Sequence, residues 1–379
     1  MKVIIVARQL GIYSEHWLKR QIELLKADVE QVLVMGDCDL TELYGVPVRS
    51  LALEYQIKYK VLSKVFRKDI LEYKRSKLEH LLSKSQCDTI LFHYIDFTLN
   101  FKDVIKRSNK DCFVYCHGYD VTWDLRKSSN PREASFSETY KTDVLDLSKD
   151  VCFIANSANT VQKLRDIGVS EAKIRMKHFG IEHNDFRKLP EYYTLLYLGR
   201  LVDFKGPHLV LKAFEMACAK GMKAKLIFAG DGALRETLEL MRLVSDYKED
   251  IEILGAVDYN KAQELFKHAS VFVAHNCIGQ LTGQEEAFGV SIIEAMSFGI
   301  PVITGASGGT KETVVHNETG FLFQPFDVEA QANYFLNYYN DTNLMSLHSR
   351  NAQKHVREHF SLENEQCWYN EIFEGDDNC

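Results

Sequence analysis

The segment YTLLYLGRLVDFKGPHLVLKAFEMACAKGMKAKLIFAG, residues 193–230, contains a complete strand–helix–strand pattern. Tyr193–Leu198 and Ala224–Gly230 are apolar and too short for helices, as buried parallel strands are. Pro207–Lys220 between them has the apolar spacing of an amphipathic helix. This order predicts a βαβ unit with a right-handed crossover.

The same alternation extends through both halves of the chain. Further strands are expected at Lys2–Ala7, Val29–Met35, Thr89–Tyr94, Asp111–His117, Val151–Asn156, Ile174–His178, Ile251–Gly255, Val271–His275, Pro301–Thr304 and Gly320–Phe323. Further helices are expected at Ser14–Ala27, Asn159–Ile167, Ala233–Asp246, Asn260–His268, Gly289–Phe298, Val328–Tyr339 and Leu362–Phe373. Two such series predict an α/β protein with two Rossmann-like, doubly wound domains, at residues 1–185 and 193–360.

Composition excludes several classes of protein. The 379 residues are 46% hydrophobic and 26% charged, which is typical of a globular chain rather than a disordered one. A net charge of −7 argues against a dedicated nucleic-acid binder. Nine cysteines without a C-x-x-C pair favour reduced, buried thiols. The apolar run Val3–Ala7 is too short for a signal peptide, and no apolar run reaches membrane-spanning length, so a cytoplasmic location is expected.

Two glutamates flank the start of an apolar helix in the segment EEAFGVSIIEAM. Seven residues separate Glu286 from Glu294, and Gly289 and Val290 open the helix between them. A glycine at a helix N-terminus leaves free N–H groups and a positive dipole end, which suit a phosphate. Each carboxylate can accept hydrogen bonds from ligand hydroxyls. Ordinary acidic residues near a helix start remain the alternative interpretation.

Basic residues follow the strand Tyr193–Leu198. Arg200 and Lys205 lie between this strand and the next helix, where a guanidinium and an ammonium can bind a diphosphate. A solvated basic loop is the alternative. Farther along, Gly255 and Val257 follow another strand, at a place where the backbone can approach a flat base or a phosphate.

A histidine ends one strand of the first half. In VYCHGYDVTW, His117 follows the strand and Asp120 comes three residues later. Ligands bind beyond the carboxyl ends of such strands, so His117 is a candidate for substrate contact or proton transfer. A purely structural histidine is the alternative.

Taken together, these motifs resemble the GT-B glycosyltransferases, and within them the large retaining group that uses nucleotide-sugar donors. The resemblance extends over nearly the whole chain and is densest at Tyr193–Phe323. It implies that Arg200 and Lys205 bind the donor diphosphate, with Glu286 near the donor sugar and Glu294 at the ribose. The implied donor site also includes the backbone of Phe288, Gly289 and Val290 at the phosphates and Gly255 and Val257 by the base.

The resemblance also assigns the N-terminal domain to the acceptor. His117 would lie beside the donor sugar and acceptor as a catalytic residue together with Glu286, and Gly11 and Asp120 would lie on the acceptor side. Residues 361–379 would form a crossover helix and tail that return to the first domain. The first loop, RQLGIYSEHW, lacks the family's Gly-Gly pair and is similar to a variant found in exopolysaccharide and lipopolysaccharide transferases.

The resemblance therefore implies a retaining glycosyltransferase of cell-surface polysaccharide biosynthesis. It would transfer a sugar from a nucleotide-sugar donor to a saccharide or lipid-linked acceptor, without a cofactor. Two alternatives stay open: a non-catalytic GT-B module that binds sugar nucleotide or scaffolds a polysaccharide complex, and a nucleotide-sugar epimerase. Retention of His117, Arg200, Lys205, Glu286 and Glu294 together favours catalysis.

Two further segments could bind a metal ion or a membrane. Asp37-Cys38-Asp39 is a D-x-D sequence in the domain without the E-x7-E pair, and no metal requirement is expected. Residues 58–84 carry nine basic and three acidic residues, a net charge of +6, with apolar residues at helical spacing. This segment predicts either peripheral contact with an anionic membrane or a core-facing helix with a solvated basic face.

Overall fold

The computed structural model describes residues 1–10, 16–52, 54–55, 70–121, 139–185 and 190–374. Gly11 of the first loop and residues 58–69 of the basic segment lie outside the described residues. Within the described part of the chain, two sheets alternate with helices, as the sequence predicts.

The first sheet is built from residues 3–176. Its strands are β1 (Val3–Ala7), β2 (Val29–Val34), β3 (Glu42–Leu43), β4 (Val46–Ser50), β5 (Thr89–His93), β6 (Asp111–Tyr115), β7 (Cys152–Ala155) and β8 (Ile174–Met176). They lie in the order β3-β4-β2-β1-β5-β6-β7-β8 and are parallel except for the antiparallel β3–β4 pair. The strand order reverses at β1 and β5, whose carboxyl ends form a switch point where ligands bind in such sheets.

The second sheet is parallel in all its described pairs. It contains β9 (Thr194–Leu198), β10 (Lys225–Ala229), β11 (Ile251–Gly255), β12 (Val271–Val273), β13 (Val302–Gly305) and β14 (Gly320–Phe323). The order is β11-β10-β9-β12-β13-β14, so the reversal lies between β9 and β12. The first sheet ends at Met176 and the second begins at Thr194, with the segment between them joining two Rossmann-like halves.

Helices cover the faces of both sheets. Those of the first half are α1 (His16–Leu24), α2 (Ile70–Lys84), α3 (Ile95–Thr98), α4 (Lys102–Ser108), α5 (Tyr140–Leu147) and α6 (Ala158–Asp166). Those of the second half are α7 (Pro207–Ala219), α8 (Arg235–Val244), α9 (Tyr259–His268), α10 (Val290–Ser297), α11 (Thr310–Thr313), α12 (Val328–Asn340), α13 (Thr342–His359) and α14 (Leu362–Glu374). This architecture confirms the predicted GT-B fold.

The strands are almost continuous apolar runs because both of their faces are covered by helices. All five residues of β1 are at most 1% exposed, and those of β5 are equally buried. The predicted strand Val271–His275 is shorter than expected and ends at Val273. His275 leaves the strand because its backbone N–H donates to the carbonyl of Lys205.

Several elements were not predicted from the sequence: the short β3–β4 pair at the edge of the first sheet, the helices α3, α4 and α5, and α13. The first turn of α13 is capped by the side chain of Asp341, which accepts from the amide of Leu344 at 2.9 Å. Its buried face has helical spacing, but His348, Ser349 and Gln353 on that face are polar, so no apolar stripe stands out in the sequence.

The terminal helix α14 packs on the first half of the molecule. Ile181 and Ser361 form an isolated parallel bridge just before this helix begins. The ring of Phe373 meets that of Phe113 on β6 at a centroid distance of 5.1 Å. The chain thus returns to the first domain, as expected for a GT-B crossover helix.

The described part of the basic segment contributes to the core. In α2, Leu78 is fully buried and Leu82 is 3% exposed. Of the two interpretations of residues 58–84, this favours a core-facing helix with a solvated basic face for residues 70–84. None of the described helices is long and apolar enough to cross a bilayer.

Candidate functional site

A cavity of about 530 Å³ lies where the carboxyl ends of the two sheets face each other. From the first domain it is lined by Arg8 after β1, His93 and Tyr94 at the end of β5, and His117 after β6. From the second domain it receives the predicted residues Arg200, Lys205, Val257, Glu286, Phe288, Gly289, Val290 and Glu294. Most of the residues selected from separate sequence motifs therefore share one cleft.

Lys205 and Glu286 form an ion pair on the wall of the cavity. The distance between Nζ and Oε2 is 2.5 Å, and the two side chains are only 15% and 11% exposed. Lys205 ends a short turn after β9, and Glu286 ends the long loop before α10. A pair of opposite charges held this close to the cavity presents both a cation and a carboxylate to a ligand.

Asp203 holds the loop that leads to Glu286. Its Oδ2 accepts hydrogen bonds from the amides of Leu281 and Thr282, at 2.8 and 2.9 Å. Its Oδ1 accepts from the hydroxyl of Thr282 at 2.8 Å. The turn that carries Lys205 thus also orders the loop that carries Glu286.

The N-terminus of α10 points its first amides toward the same cleft. Gly289 precedes the helix with φ +94°, a left-handed conformation that glycine adopts without strain. Helix starts carry unpaired N–H groups and a positive dipole end. One turn farther on, burial raises the pKa of Glu294, while the Arg20 guanidinium opposes that shift.

Arg200 is the most exposed of the predicted donor-side residues that line the cavity. Its carbonyl accepts a hydrogen bond from the hydroxyl of Tyr197 at 2.6 Å, which fixes the chain at the end of β9. Its guanidinium lies 5.4 Å from the ring centroid of Phe204. The charge is therefore positioned at the cleft while remaining accessible.

Gly255 and Val257 differ in their placement. Val257 lines the cavity, but Gly255 does not. Gly255 ends β11 with φ +74°, and its carbonyl accepts from the amide of Gly230 at 2.7 Å. Of this predicted base-side pair, only Val257 reaches the cleft wall, and Gly255 instead shapes the strand ends.

His117 lies among aromatic rings. The ring of Trp17 stacks on it with a centroid distance of 4.1 Å, and that of Tyr94 lies at 4.4 Å. Its Nε2 is 3.0 Å from Nδ1 of His93. Burial, together with the neighbouring imidazole of His93 and the ammonium of Lys177, lowers the pKa of His117 well below its ordinary value.

Asp120 was predicted to lie on the acceptor side of the cleft, but the structure places it beneath the cleft. Its side chain is fully buried, and its two oxygens accept from the amides of Ile95 and His117, each at 2.9 Å. Burial raises the pKa of Asp120 to about 7, against the effect of these hydrogen bonds. Asp120 therefore orders the backbone at the ends of β5 and β6 without facing an acceptor.

The two domains touch directly beside the cavity. A Cβ on Gly118, which has φ +97°, would lie 2.3 Å from Cβ of Ala287. Nearby, the carboxylate of Glu312 accepts from the amides of Ala158 and Asn159 at the start of α6, at 2.9 and 3.3 Å. Acidic groups are stabilised at a helix N-terminus, so this contact favours the observed arrangement of the domains.

Several residues of the site were not selected from the sequence. Trp17, His93 and Tyr94 line the cavity, and Glu312 and Lys163 join the domains beside it, the latter through Glu285 at 2.7 Å. His93 ends a buried strand, so the argument applied to His117 could have identified it. Neither Trp17 nor Glu312 follows a buried strand in the sequence. Only tertiary packing brings Trp17 to the cavity and Glu312 to the domain contact beside it.

The described residues contain no group of three or more histidine, cysteine, aspartate or glutamate side chains that could hold a metal ion. Asp37 and Asp39 follow β2 in the first domain and are not among the residues that line the cavity. The expected lack of a metal requirement stays a prediction.

Residues 179–355 match the glycosyl transferases group 1 family. The capsular polysaccharide biosynthesis glycosyltransferase CapM of Staphylococcus aureus is 28% identical over 197 residues, which are 51% of this chain and 49% of CapM. A GDP-mannose-dependent monoacylated alpha-(1-6)-phosphatidylinositol monomannoside mannosyltransferase of Corynebacterium glutamicum is 30% identical over 166 residues, 43% and 42% of the two chains. The chain thus spans about half the length, or less, of these curated relatives.

Solved structures show the same fold over the whole chain. Anabaena HepE in complex with UDP-glucose has a TM-score of 0.77 at 17% identity, covering 98% of this chain and 99% of HepE. Sucrose-phosphate synthase from Thermosynechococcus elongatus has a TM-score of 0.78 at 19% identity, covering 99% of both chains. With the family match, this confirms the resemblance to GT-B glycosyltransferases.

Proposed function

We propose, because residues 179–355 match the glycosyl transferases group 1 family, that this protein is a retaining glycosyltransferase that uses a nucleotide-sugar donor. The observation that carries the proposal is the Lys205–Glu286 ion pair, which lies in the same cavity as the N-terminus of α10 and His117. Cations, free amides and a carboxylate are the groups that a sugar diphosphate requires.

The donor diphosphate is proposed to bind between Arg200, Lys205 and the first amides of α10. Departure of a nucleoside diphosphate concentrates negative charge on the phosphate oxygens. Preorganised donors and cations stabilise such developing charge more than they stabilise the ground state. Glu286 keeps the ammonium of Lys205 in place and offers its second oxygen to hydroxyls of the donor sugar.

The remaining groups of the cleft are proposed to bind the donor nucleoside in the second domain and the reacting sugar in the first domain. Glu294 is proposed to accept from the ribose hydroxyls, and Val257 to lie by the base. His117 and its aromatic neighbours Trp17 and Tyr94 offer an apolar wall and a hydrogen-bonding ring to the reacting sugar. The contact of Gly118 with Ala287 and that of Glu312 with α6 keep the cleft narrow, which limits access of water.

The acceptor is proposed to be a saccharide or a lipid-linked saccharide of a surface polysaccharide or glycolipid. The support comes from the two curated relatives, one a glycosyltransferase of capsular polysaccharide biosynthesis and the other a mannosyltransferase that acts on a phosphatidylinositol monomannoside. Retention of the anomeric configuration is proposed from the family resemblance. Both UDP-sugars and GDP-mannose are donor candidates, because HepE was solved with UDP-glucose and the mannosyltransferase depends on GDP-mannose.

A thermal-denaturation screen against UDP-, GDP- and ADP-sugars tests the donor. One of these at 100 times its Kd should raise the stability of the folded protein by about 2.7 kcal/mol. The donor identified in this way is then used in a transfer assay with saccharide and lipid-linked acceptors, with the anomeric configuration of the product read by NMR.

Two variants link the result to the cavity. Glu286→Gln should abolish transfer, and Lys220→Ala should change nothing, because Lys220 is exposed and bonded to Asn333 away from the cleft. If no nucleotide sugar stabilises the protein, the proposed donor site is wrong. If one binds but is neither transferred nor hydrolysed with any acceptor, a non-catalytic module is the better description.

A further inference from the structure

His93 and His117 form a direct imidazole–imidazole pair at the ends of two adjacent strands. Nδ1 of His93 lies 3.0 Å from Nε2 of His117, within hydrogen-bonding distance. Both residues line the cavity, but His93 is only 1% exposed, whereas His117 is partly exposed. The ring of His117 is therefore the more accessible of the two to a ligand.

Both rings are held neutral by their surroundings. Burial and the ammonium of Lys177 lower the pKa of His93 to about 3. Burial, the neighbouring His93 and the same ammonium also lower the pKa of His117. Glu365 on α14 forms an ion pair with Lys177. The carboxylate stabilises the charged form of Lys177, so a positive charge stays beside the two rings. In a hydrogen bond between two neutral imidazoles, one ring donates its N–H and the other accepts on its unprotonated nitrogen.

The second nitrogen of His93 indicates which ring donates. Nε2 of His93 is buried and has no hydrogen-bond partner in the described part of the chain. If that nitrogen carried the proton, a buried N–H would be unpaired, which costs more than an unpaired lone pair. The arrangement of lower energy puts the proton of His93 on Nδ1, which donates to Nε2 of His117. The proton of His117 must then be on Nδ1.

We propose that His93 is a positioning residue that holds His117 as its Nδ1–H tautomer, so that the cavity receives a neutral hydrogen-bond donor from His117 and not a base. Among the described residues, no group bonds to Nδ1 of His117. This nitrogen is therefore available to an oxygen of a ligand. The orientation of the ring is further restricted by stacking on Trp17 and by Asp120, which accepts from the backbone amide of His117.

The consequence for catalysis rests on the proposed function. A neutral Nδ1–H donor can bind a hydroxyl or ring-substituent oxygen of the transferred sugar and place the anomeric carbon near the acceptor. It cannot remove a proton from the acceptor, so His117 would orient the sugar rather than act as a general base. Loss of one well-placed hydrogen bond in the transition state corresponds to about a tenfold loss of rate.

The test combines nitrogen NMR with two matched variants of His93. Protein labelled with 15N-histidine gives two-bond 1H–15N spectra in which protonated and unprotonated ring nitrogens have different shifts, and His117→Gln identifies the His117 signals. His93→Asn keeps an N–H donor near the position of Nδ1, and His93→Phe removes it. His348→Phe is the control for loss of a buried imidazole, because His348 bonds to Tyr338 and does not line the cavity.

The wild-type protein and His93→Asn should show His117 protonated at Nδ1, and His93→Phe should shift protonation toward Nε2. The kcat of transfer should fall about tenfold in His93→Phe and remain close to wild type in His93→Asn and His348→Phe. Protonation at Nε2 in the wild type would overturn the proposal even if His93→Phe does not fold, as would an unchanged Nδ1–H tautomer in folded His93→Phe. If the tautomers behave as expected but no donor is ever transferred, the positioning role stands and the proposed function fails.

Discussion

The ammonium of Lys177 and the carboxylate of Glu365 form an ion pair that is almost completely shielded from solvent. Their side chains are 0% and 3% exposed. The second carboxylate oxygen accepts from the amide of Gly180 at 2.9 Å, and the ammonium lies 4.5 Å from the ring centroid of Tyr369. The pair thus joins the end of β8 to the terminal helix, directly behind the histidines of the cleft.

Glu365→Gln should destabilise the protein by about 3–5 kcal/mol, because a buried ammonium then loses its counter-charge. Urea unfolding measured by circular dichroism gives the change. The double variant Lys177→Met/Glu365→Leu should recover much of this loss, since it removes both buried charges. A Glu365→Gln protein as stable as the wild type would show that the pair does not hold the terminal helix.

Lys205→Ala should weaken donor binding and reduce kcat/KM by about 100-fold, because a cation at the leaving diphosphate acts mainly in the transition state. It also leaves Glu286 without its partner at 2.5 Å. Calorimetric binding of the donor and steady-state transfer rates measure the two effects. The exposed Lys220 provides the matched Lys220→Ala control, and equal rates for the two variants would contradict a diphosphate role for Lys205.

Gly118→Ala should open the cleft and reduce transfer, because the new Cβ would lie 2.3 Å from Cβ of Ala287 across the domain contact. The positive φ of +97° adds strain of about 1 kcal/mol. Adding Ala287→Gly removes the clash but not the strain, so the double variant should recover part of the activity. Small-angle scattering reports the opening, and an unchanged profile for Gly118→Ala would show that this contact does not set the domain spacing.

The contribution of His93 to the stability of the protein should fall between pH 7 and pH 5. The pKa of His93 is lowered to about 3 in the folded state from an ordinary value of 6.5, chiefly by burial. Folding therefore favours the neutral ring. The contribution of this ring to the unfolding free energy is complete above about pH 6.5 and is lost as the pH falls toward 3. At pH 5 the loss reaches about 2 kcal/mol.

Urea unfolding at the two pH values measures this dependence. The difference in unfolding free energy between pH 7 and pH 5 should be smaller in His93→Phe by about the same amount. His80→Gln, which replaces an exposed histidine on α2, should leave the difference as in the wild type. Identical pH dependence in His93→Phe and the wild type would contradict a neutral, buried His93.

Local patterns were sufficient to predict the alternation of strands and helices and the residues at their carboxyl ends. The segment containing Glu286, Gly289 and Glu294 was recognisable because a loop, a glycine and an apolar helix follow each other directly in the chain. Arg200 and Lys205 were recognisable for the same reason, since they lie between consecutive elements. The helix α13 was not predicted because half of its buried residues are polar, and Asp120 was misplaced because burial is not visible in a short motif.

The sequence thus established the two-domain α/β fold and most of the donor side of the cleft, because these depend on hydrophobic periodicity and on residues close together in the chain. Tertiary structure alone brought His93 to His117, Lys177 to Glu365 and Glu312 to the start of α6. These contacts join residues from separate elements, and two of them join residues far apart in the chain. Their formation depends on how the sheets and the terminal helix pack, and that packing decides which side chains meet and which are buried.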